Sequence, residues 1–286
     1  MNIIFKTIYK LWNRASWSKI NSVNDLSEKG YLKLKLNKNS KTKLDFELEK
    51  IYNKALDTVK FYKGNSVHDL SKVGNLPLNL KSLADKNQIK VLNDITNSII
   101  NENPQITDYL GLNLNQLSFD LTLLCNTTSD LKTKVGSQNY HRDIYHSFYR
   151  GIKVFYGYNY NENIEDGAFS FIPLDAISSN VRPSTSKKFK NEMKQSRFDH
   201  HPLISKHKNK ALVLKKRELT AIDTYNSFHS GGFIKTPNFI RLIFQIVVLP
   251  PQNPEKFNNI AEDHFQRTLY FYMIKFRNIF RKSVTK

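Results

Sequence analysis

The chain has 286 residues and carries 44 Lys and Arg against 25 Asp and Glu, which gives a formal net charge of +19. Hydrophobic residues make up 40% of the chain, with 10 Gly and 9 Pro, so a core can form and collagen-like or wholly disordered chains are excluded. The single cysteine, Cys125, excludes an internal disulfide and a cysteine-based zinc site. We predict one domain over residues 1–286.

The positive charge is concentrated in three segments. Residues 1–63 carry a net +8, residues 182–217 carry +10 and residues 267–286 carry +6, so the rest of the chain is slightly acidic. Lys outnumbers Arg by 34 to 10, a bias that an A/T-rich coding sequence also produces. Nucleic-acid readers rely on Arg interleaved with aromatic residues. Because no such motif is visible, we predict no nucleic-acid partner.

Residues 1–110 are predicted to form a mainly helical N-terminal part. The first twelve residues read as a short basic amphipathic helix and lack the cleavage site of a signal peptide. Two further helices are predicted over residues 42–62 and 84–103. One face of the helix over residues 42–62 collects four apolar residues: Leu44, Leu48, Ile51 and Ala55.

Residues 111–250 change to short runs rich in Val, Ile, Phe and Tyr, bounded by Gly, Asn, Asp or Pro. Strands without long helices between them indicate a sandwich or barrel, and with the N-terminal helices they predict an α+β fold. A polar, Lys-rich stretch over 182–210 is predicted to be a long basic loop or lid. The predicted strands cover residues 117–125, 152–160, 168–174, 211–214, 219–224 and 239–249.

The C-terminal residues 255–286 are predicted to form a second basic amphipathic helix with an aromatic stripe. Such a helix either packs on the domain or lies on an anionic membrane, and the sequence leaves both open. No apolar run approaches the roughly 20 residues that a membrane-spanning helix needs. We predict a cytoplasmic protein whose basic ends could make peripheral contact with the inner face of a membrane.

His141 and Asp143 are separated by one residue just before a predicted strand. On an extended chain both side chains project to the same side, where an imidazole and a carboxylate can ligate a divalent metal. A protein-kinase interpretation of His-Arg-Asp fails, because no Asn follows at the required spacing and neither an Asp-Phe-Gly motif nor a glycine-rich loop is present.

Two residues downstream extend this pattern. His229 follows a predicted strand and can complete a facial triad of two histidines and one carboxylate, which binds Fe(II) and leaves one face of the metal open. Arg241 lies in an otherwise apolar strand, where a guanidinium is costly unless it meets an anion. Its planar fork suits a carboxylate that is held by two hydrogen bonds.

In this order of motifs the sequence resembles the Fe(II)/2-oxoglutarate-dependent oxygenases, specifically the phytanoyl-CoA dioxygenase-like family. The resemblance rests on His141-Arg-Asp143, the segment Gly167–Pro173, His229 and Arg241. A weaker similarity lies in Leu26-Ser-Glu-Lys-Gly30-Tyr-Leu, which resembles the end of the family's N-terminal helix and the strand that follows it. It covers roughly residues 25–250. The sequence departs from the family where Gly231 stands in place of a frequent Ser or Thr two residues after the second histidine.

The resemblance implies a double-stranded β-helix, or jelly roll, with His141, Asp143 and His229 as catalytic metal ligands at its mouth. It implies that Arg241 binds the distal carboxylate of 2-oxoglutarate, and that Fe(II), 2-oxoglutarate and O₂ are the cofactor and cosubstrates. Asp143 favours hydroxylation, because the related halogenases carry a small residue at that position. Arg241 distinguishes the chain from JmjC-type demethylases, which generally use Lys for the cosubstrate.

The sequence therefore predicts a dioxygenase that hydroxylates an unactivated C–H bond. The basic segment 182–217 favours an anionic substrate, such as a phosphorylated, CoA-linked, lipid-linked or glycan-linked molecule. Two alternatives stay open, namely the same chemistry on a small free metabolite and a non-catalytic jelly-roll binding protein.

Overall fold

The computed structural model describes residues 25–63, 75–78, 80–110, 114–127, 138–141, 143, 152–176, 202–224, 227–236 and 239–249. The helices predicted at the two ends of the chain, and residues 182–201 of the predicted basic loop, lie outside the described residues. Within the described part, no helix combines the length and apolarity needed to cross a membrane.

The described chain combines helices with antiparallel β-sheet, as the α+β prediction requires. The helices are α1 (Asp25–Glu28), α2 (Lys38–Lys63), α3 (Leu80–Leu83), α4 (Lys86–Glu102), α5 (Gln105–Leu110) and α6 (Pro202–His207). The strands are β1 (Tyr31–Lys33), β2 (Asn75–Leu78), β3 (Ser118–Thr127), β4 (Ile152–Asn159), β5 (Ser170–Ile172), β6 (Leu212–Val213), β7 (Leu219–Ile222), β8 (Phe228–Ser230) and β9 (Ile240–Leu249).

The strands form two sheets in which every neighbouring pair is antiparallel. The large sheet has the order β1-β7-β4-β9-β3-β2, and the small sheet has the order β6-β5-β8. The small sheet is extended at β8 by a bridge between His141 and His229. From β6 to β9, successive strands alternate between the two sheets, so the connections cross from one sheet to the other as in a sandwich.

The helices cover one face of the large sheet. The predicted apolar stripe of α2 is fully buried there, together with the apolar face of α4 and alternate residues of β4 and β9. Because side chains alternate along a strand, the residues between these point to the opposite face. That face meets the small sheet through a second cluster, whose members include Phe155 of β4, Ile243 of β9 and Phe171 of β5.

The space between the two sheets holds the functional candidates. Lys153 shares a strand face with Phe155, and Arg241 shares one with Ile243. His229 is paired directly with Phe171 across the small sheet, so its ring also lies on the inner side.

Candidate metal centre

The structure brings His141, Asp143 and His229 together. Each offers one possible ligand atom, and these atoms all lie within 4.8 Å of one another. Among the described residues, no other group of three His, Cys, Asp or Glu side chains is arranged in this way. Two imidazoles and one carboxylate in a cluster of this size are a donor set consistent with Fe(II).

Backbone pairing fixes the two histidines side by side. The amide of each donates to the carbonyl of the other, with N···O distances of 2.8 and 2.9 Å. The ring centroids are 4.2 Å apart, and the His229 ring also stacks on Phe169 at 5.9 Å. The backbone positions of both histidines are therefore set by β-sheet pairing.

Both rings have their Nδ1 atom next to a backbone carbonyl. Nδ1 of His141 lies 2.8 Å from the oxygen of Asn139, and Nδ1 of His229 lies 3.2 Å from the oxygen of Ser227. A carbonyl only accepts hydrogen bonds, so it favours a proton on Nδ1 and leaves Nε2 with a free lone pair. This is the tautomer that a metal-ligating histidine needs when Nε2 binds the metal.

Burial keeps His229 neutral. Its side chain is almost fully buried, and desolvation together with the neighbouring His141 lowers the pKa of His229 to about 3, against a weaker opposing effect of Asp143. A neutral imidazole at physiological pH can bind a metal without first losing a proton.

Asp143 is held by its backbone and by a positive neighbour. Its amide donates to the carbonyl of Thr224 at 2.9 Å, and its Oδ2 lies 2.7 Å from Nζ of Lys153 and 3.6 Å from Nε2 of His229. Burial acts to raise the pKa of Asp143, but its interactions with His229 and with the positively charged Lys153, together with hydrogen bonds from Lys153 and Thr224, outweigh burial and lower it. The carboxylate is consequently ionised and ready to ligate.

Arg241 is buried on β9, facing the small sheet, with only 2% of its surface exposed. Its Nη1 donates to the carbonyl of Gly167. Desolvation lowers the pKa of Arg241 to about 10, which still leaves the guanidinium charged at neutral pH. A buried, charged guanidinium between the two sheets can hold an anionic ligand, which is the role that the sequence predicts for Arg241.

Two glycines make the contact of Arg241 possible. Gly167 and Gly232 have φ values of +78° and +71°, in the left-handed region that favours glycine. A Cβ on Gly232 would collide with the backbone of Gly167, and one on Gly167 would collide with the backbone of Phe233. The turn before β5 and the segment after β8 therefore approach closely, and Gly167 presents its carbonyl to Arg241.

Lys153 was not predicted as a site residue, although its position in an apolar strand indicates that it needs an anionic partner. Lys153 stands in the apolar strand that begins at Ile152, just as Arg241 stands in β9. The argument that a cation in a core strand requires an anion applies to both residues. The carbonyls of Asn139 and Ser227, in contrast, carry no sequence signal, because any residue supplies a backbone carbonyl.

No family model and no curated protein matches the sequence. Among solved structures, HygX from Streptomyces hygroscopicus with nickel and 2-oxoglutarate bound is 12% identical, covers 79% of this chain and 84% of its own, and has a TM-score of 0.44. AviO1 from Streptomyces viridochromogenes Tue57 is 9% identical, with coverages of 82% and 95% and a TM-score of 0.44. The non-heme alpha ketoglutarate dependent epimerase SnoN from nogalamycin biosynthesis is 11% identical, with coverages of 83% and 83% and a TM-score of 0.44.

Proposed function

We propose that this protein is a non-haem Fe(II)/2-oxoglutarate-dependent dioxygenase that hydroxylates an unactivated C–H bond. The observation that carries the proposal is the cluster of His141, Asp143 and His229, with both Nδ1 atoms facing backbone carbonyls. Arg241, buried between the same two sheets, is the proposed partner of the distal carboxylate of 2-oxoglutarate.

The strand order supports a jelly-roll core as part of this proposal. Strands β3, β9, β4 and β7 are neighbours in the large sheet, while the His141 segment, β8, β5 and β6 are neighbours in the small one. In chain order, β3, the His141 segment, β4 and β5 alternate between the two sheets, and β6, β7, β8 and β9 alternate again, which is the pattern of a double-stranded β-helix. The more specific resemblance to the phytanoyl-CoA dioxygenase-like family remains part of the proposal.

Each residue has a defined task in this mechanism. The Nε2 atoms of His141 and His229 and the carboxylate of Asp143 would hold the metal on one side, leaving the other open for cosubstrate and O₂. When bound, iron and 2-oxoglutarate supply the oxidising chemistry, in which the 2-oxo acid is decarboxylated and O₂ is reduced. The apolar lining from Phe155 and Phe169 excludes water from the space between the sheets.

We propose an anionic substrate, lipid- or glycan-linked, recognised with the help of the basic segment 182–217. The described end of that segment contains Lys206, Lys208 and Lys210 near α6, and Lys215 and Lys216 before β7. Peripheral contact of the basic chain ends with an anionic membrane belongs to the same proposal. Sedimentation with anionic vesicles tests it, since an electrostatic contact is lost as salt rises.

The proposed metal site is tested by anaerobic titration of the protein with Fe(II) and 2-oxoglutarate. The wild type should give the weak visible charge-transfer band of the iron–2-oxo acid chelate. The variants His141→Ala and Asp143→Ala should lose it, with a fall in metal affinity beyond the roughly 10–100-fold that loss of an outer-shell partner causes.

Two matched variants control for unspecific damage. His207→Ala removes a histidine of α6, and Asp175→Ala removes an exposed carboxylate, both outside the triad. Both should keep the band. A wild type without the band, or triad variants that retain it, would contradict the proposal and favour a non-catalytic binding protein.

A further inference from the structure

Lys153 is a cation placed inside the proposed metal site. It is the second residue of β4, follows the fully buried Ile152, and has only 17% of its side chain exposed. Its Nζ lies 2.7 Å from Oδ2 of Asp143. Burial of an ammonium group is costly, so the strand carries this lysine at the expense of stability unless a charged partner is present.

The oxygen that Lys153 contacts is the one that faces the histidines. Oδ2 of Asp143 lies 3.6 Å from Nε2 of His229, so it is the oxygen placed to share a metal with that nitrogen. Lys153 and a divalent cation therefore compete for the same carboxylate oxygen. The pair between Lys153 and Asp143 stabilises the triad without a metal and weakens its affinity for one.

Metal binding changes what surrounds the ammonium group. With Asp143 shared between a metal and Lys153, positive charge would exceed negative charge among the described side chains between the two sheets, and the low local polarity would strengthen the imbalance. An anion that enters the open face of the metal restores the balance. Nζ of Lys153 lies 2.7 Å from the Asp143 oxygen that would ligate the metal. Lys153 is therefore placed to contact the end of an anion that binds next to the metal, and not its far end.

We propose that Lys153 binds the carboxylate of the 2-oxo acid at its metal-bound end, and that it pairs with Asp143 until the metal is present. This inference rests on the proposed function. It divides the recognition of the cosubstrate between two cations on neighbouring strands, with Lys153 of β4 at the near carboxylate and Arg241 of β9 at the distal one. Lys153 thereby couples the binding of metal and anion, since it opposes the first and favours the second.

The test compares wild type with Lys153→Met, which keeps the length of the side chain and removes its charge. Calorimetry should show Mn(II) alone binding about tenfold more tightly to the variant, because no ammonium competes for Asp143. Binding of 2-oxoglutarate to the Mn(II)-loaded variant should be about tenfold weaker. Pyruvate, which shares the 2-oxo acid head but lacks the distal carboxylate, should be weakened by the same factor.

Matched variants separate charge from packing. Lys33→Met removes the lysine of an exposed Lys–carboxylate pair with Glu218 at 2.9 Å, and should change neither affinity. Lys153→Arg keeps the charge and should restore most of the affinity for the anion. Thermal melts should show Lys153→Met destabilised without metal, yet shifted upward by Mn(II) more than the wild type.

The opposite directions of the two affinity changes decide the inference. If Lys153→Met weakens Mn(II) and 2-oxoglutarate together, the lysine merely supports the structure of the site, and the inference is wrong. It is also wrong if neither affinity changes, or if only 2-oxoglutarate and not pyruvate is affected. A wild type that binds neither Mn(II) nor 2-oxoglutarate would instead refute the proposed function itself.

Discussion

At the scale of single residues, the space between the sheets is governed by buried charges that need partners. Asp143 has Lys153 at 2.7 Å, and Nη1 of the buried Arg241 donates to the neutral carbonyl of Gly167. A carbonyl offsets only part of the cost of burying a guanidinium. An anionic ligand at Arg241 would offset more of that cost than a carbonyl does.

Arg241→Met should consequently lower the affinity for 2-oxoglutarate by about 100-fold, because hydrogen bonds between charged groups contribute roughly 1.5–3 kcal/mol. Arg241→Lys should recover part of this loss, since it keeps the charge but not the planar fork. Calorimetry on the Mn(II)-loaded protein measures both values. Pyruvate affinity, which involves no distal carboxylate, should stay unchanged in both variants; an equal loss of pyruvate affinity would show that Arg241 does not bind that carboxylate.

The candidate site could be predicted from sequence where the type of a residue alone indicates its chemistry, as for metal-ligating histidines and a buried arginine. The spacing of His141 and Asp143, the later His229 and the cation in β9 are visible in the sequence, and the structure places these residues between the same two sheets. The sequence also shows Lys153 as a cation in an apolar strand, but it does not show the partner of Lys153, because Asp143 becomes its neighbour only when the chain has folded.

At the scale of elements, prediction succeeded where the periodic pattern is long. The helices predicted over 42–62 and 84–103 are found as Lys38–Lys63 and Lys86–Glu102, and the strand predicted over 239–249 as Ile240–Leu249. Strands β2 and β8 were not predicted, and a strand at the position of β1 was expected only from the family resemblance after Gly30. β2 and β8 have four and three residues, and each is defined by its pairing with a strand distant in the sequence, β2 with β3 and β8 with β5.

The start of α4 offers a test at this scale. Asp85 accepts from the amide of Gln88 at 2.8 Å, and Gln88 accepts in return from the amide of Asp85 at 3.1 Å, which forms a capping box. Gln88 also donates to Glu47 of α2 at 3.0 Å. The same residue therefore caps α4 and joins it to the neighbouring helix.

Asp85→Ala should lower the free energy of unfolding by about 1 kcal/mol, the usual contribution of an N-cap. Gln88→Ala should cost more, because it also leaves Glu47, which is 8% exposed, without this donor. Urea denaturation measures both. Asp94→Ala, an exposed site in the middle of α4, should stay within about 0.5 kcal/mol of wild type, and equal effects of Asp85→Ala and Asp94→Ala would refute the capping role.

At the scale of the whole molecule, helices close one side of the large sheet and the small sheet closes the other, so the candidate site lies between the two sheets, on the side away from the helices. The connections between the sheets must hold this space in shape. Asp166 does so next to Gly167: it accepts from the amides of Lys235 and Thr236 at 2.8 and 2.7 Å and from the side chain of Asn161 at 2.6 Å. One carboxylate thus ties the turn before β5 to the segment that follows β8.

This carboxylate predicts a pH dependence of stability. Burial acts to raise the pKa of Asp166, but hydrogen bonds from Thr236, Lys235 and Asn161 outweigh it and lower the pKa below its ordinary value. A carboxyl group whose pKa is lowered by folding stabilises the folded state above the unfolded pKa, near 4, and loses that contribution as pH falls through the folded pKa. Asp166→Asn should therefore be less stable than wild type at pH 7, with a difference that shrinks below about pH 4. Denaturation across pH measures this difference, with Asp175→Asn as the exposed control, and a gap that stays constant down to acid pH would show that the charge of Asp166 does not hold the two segments together.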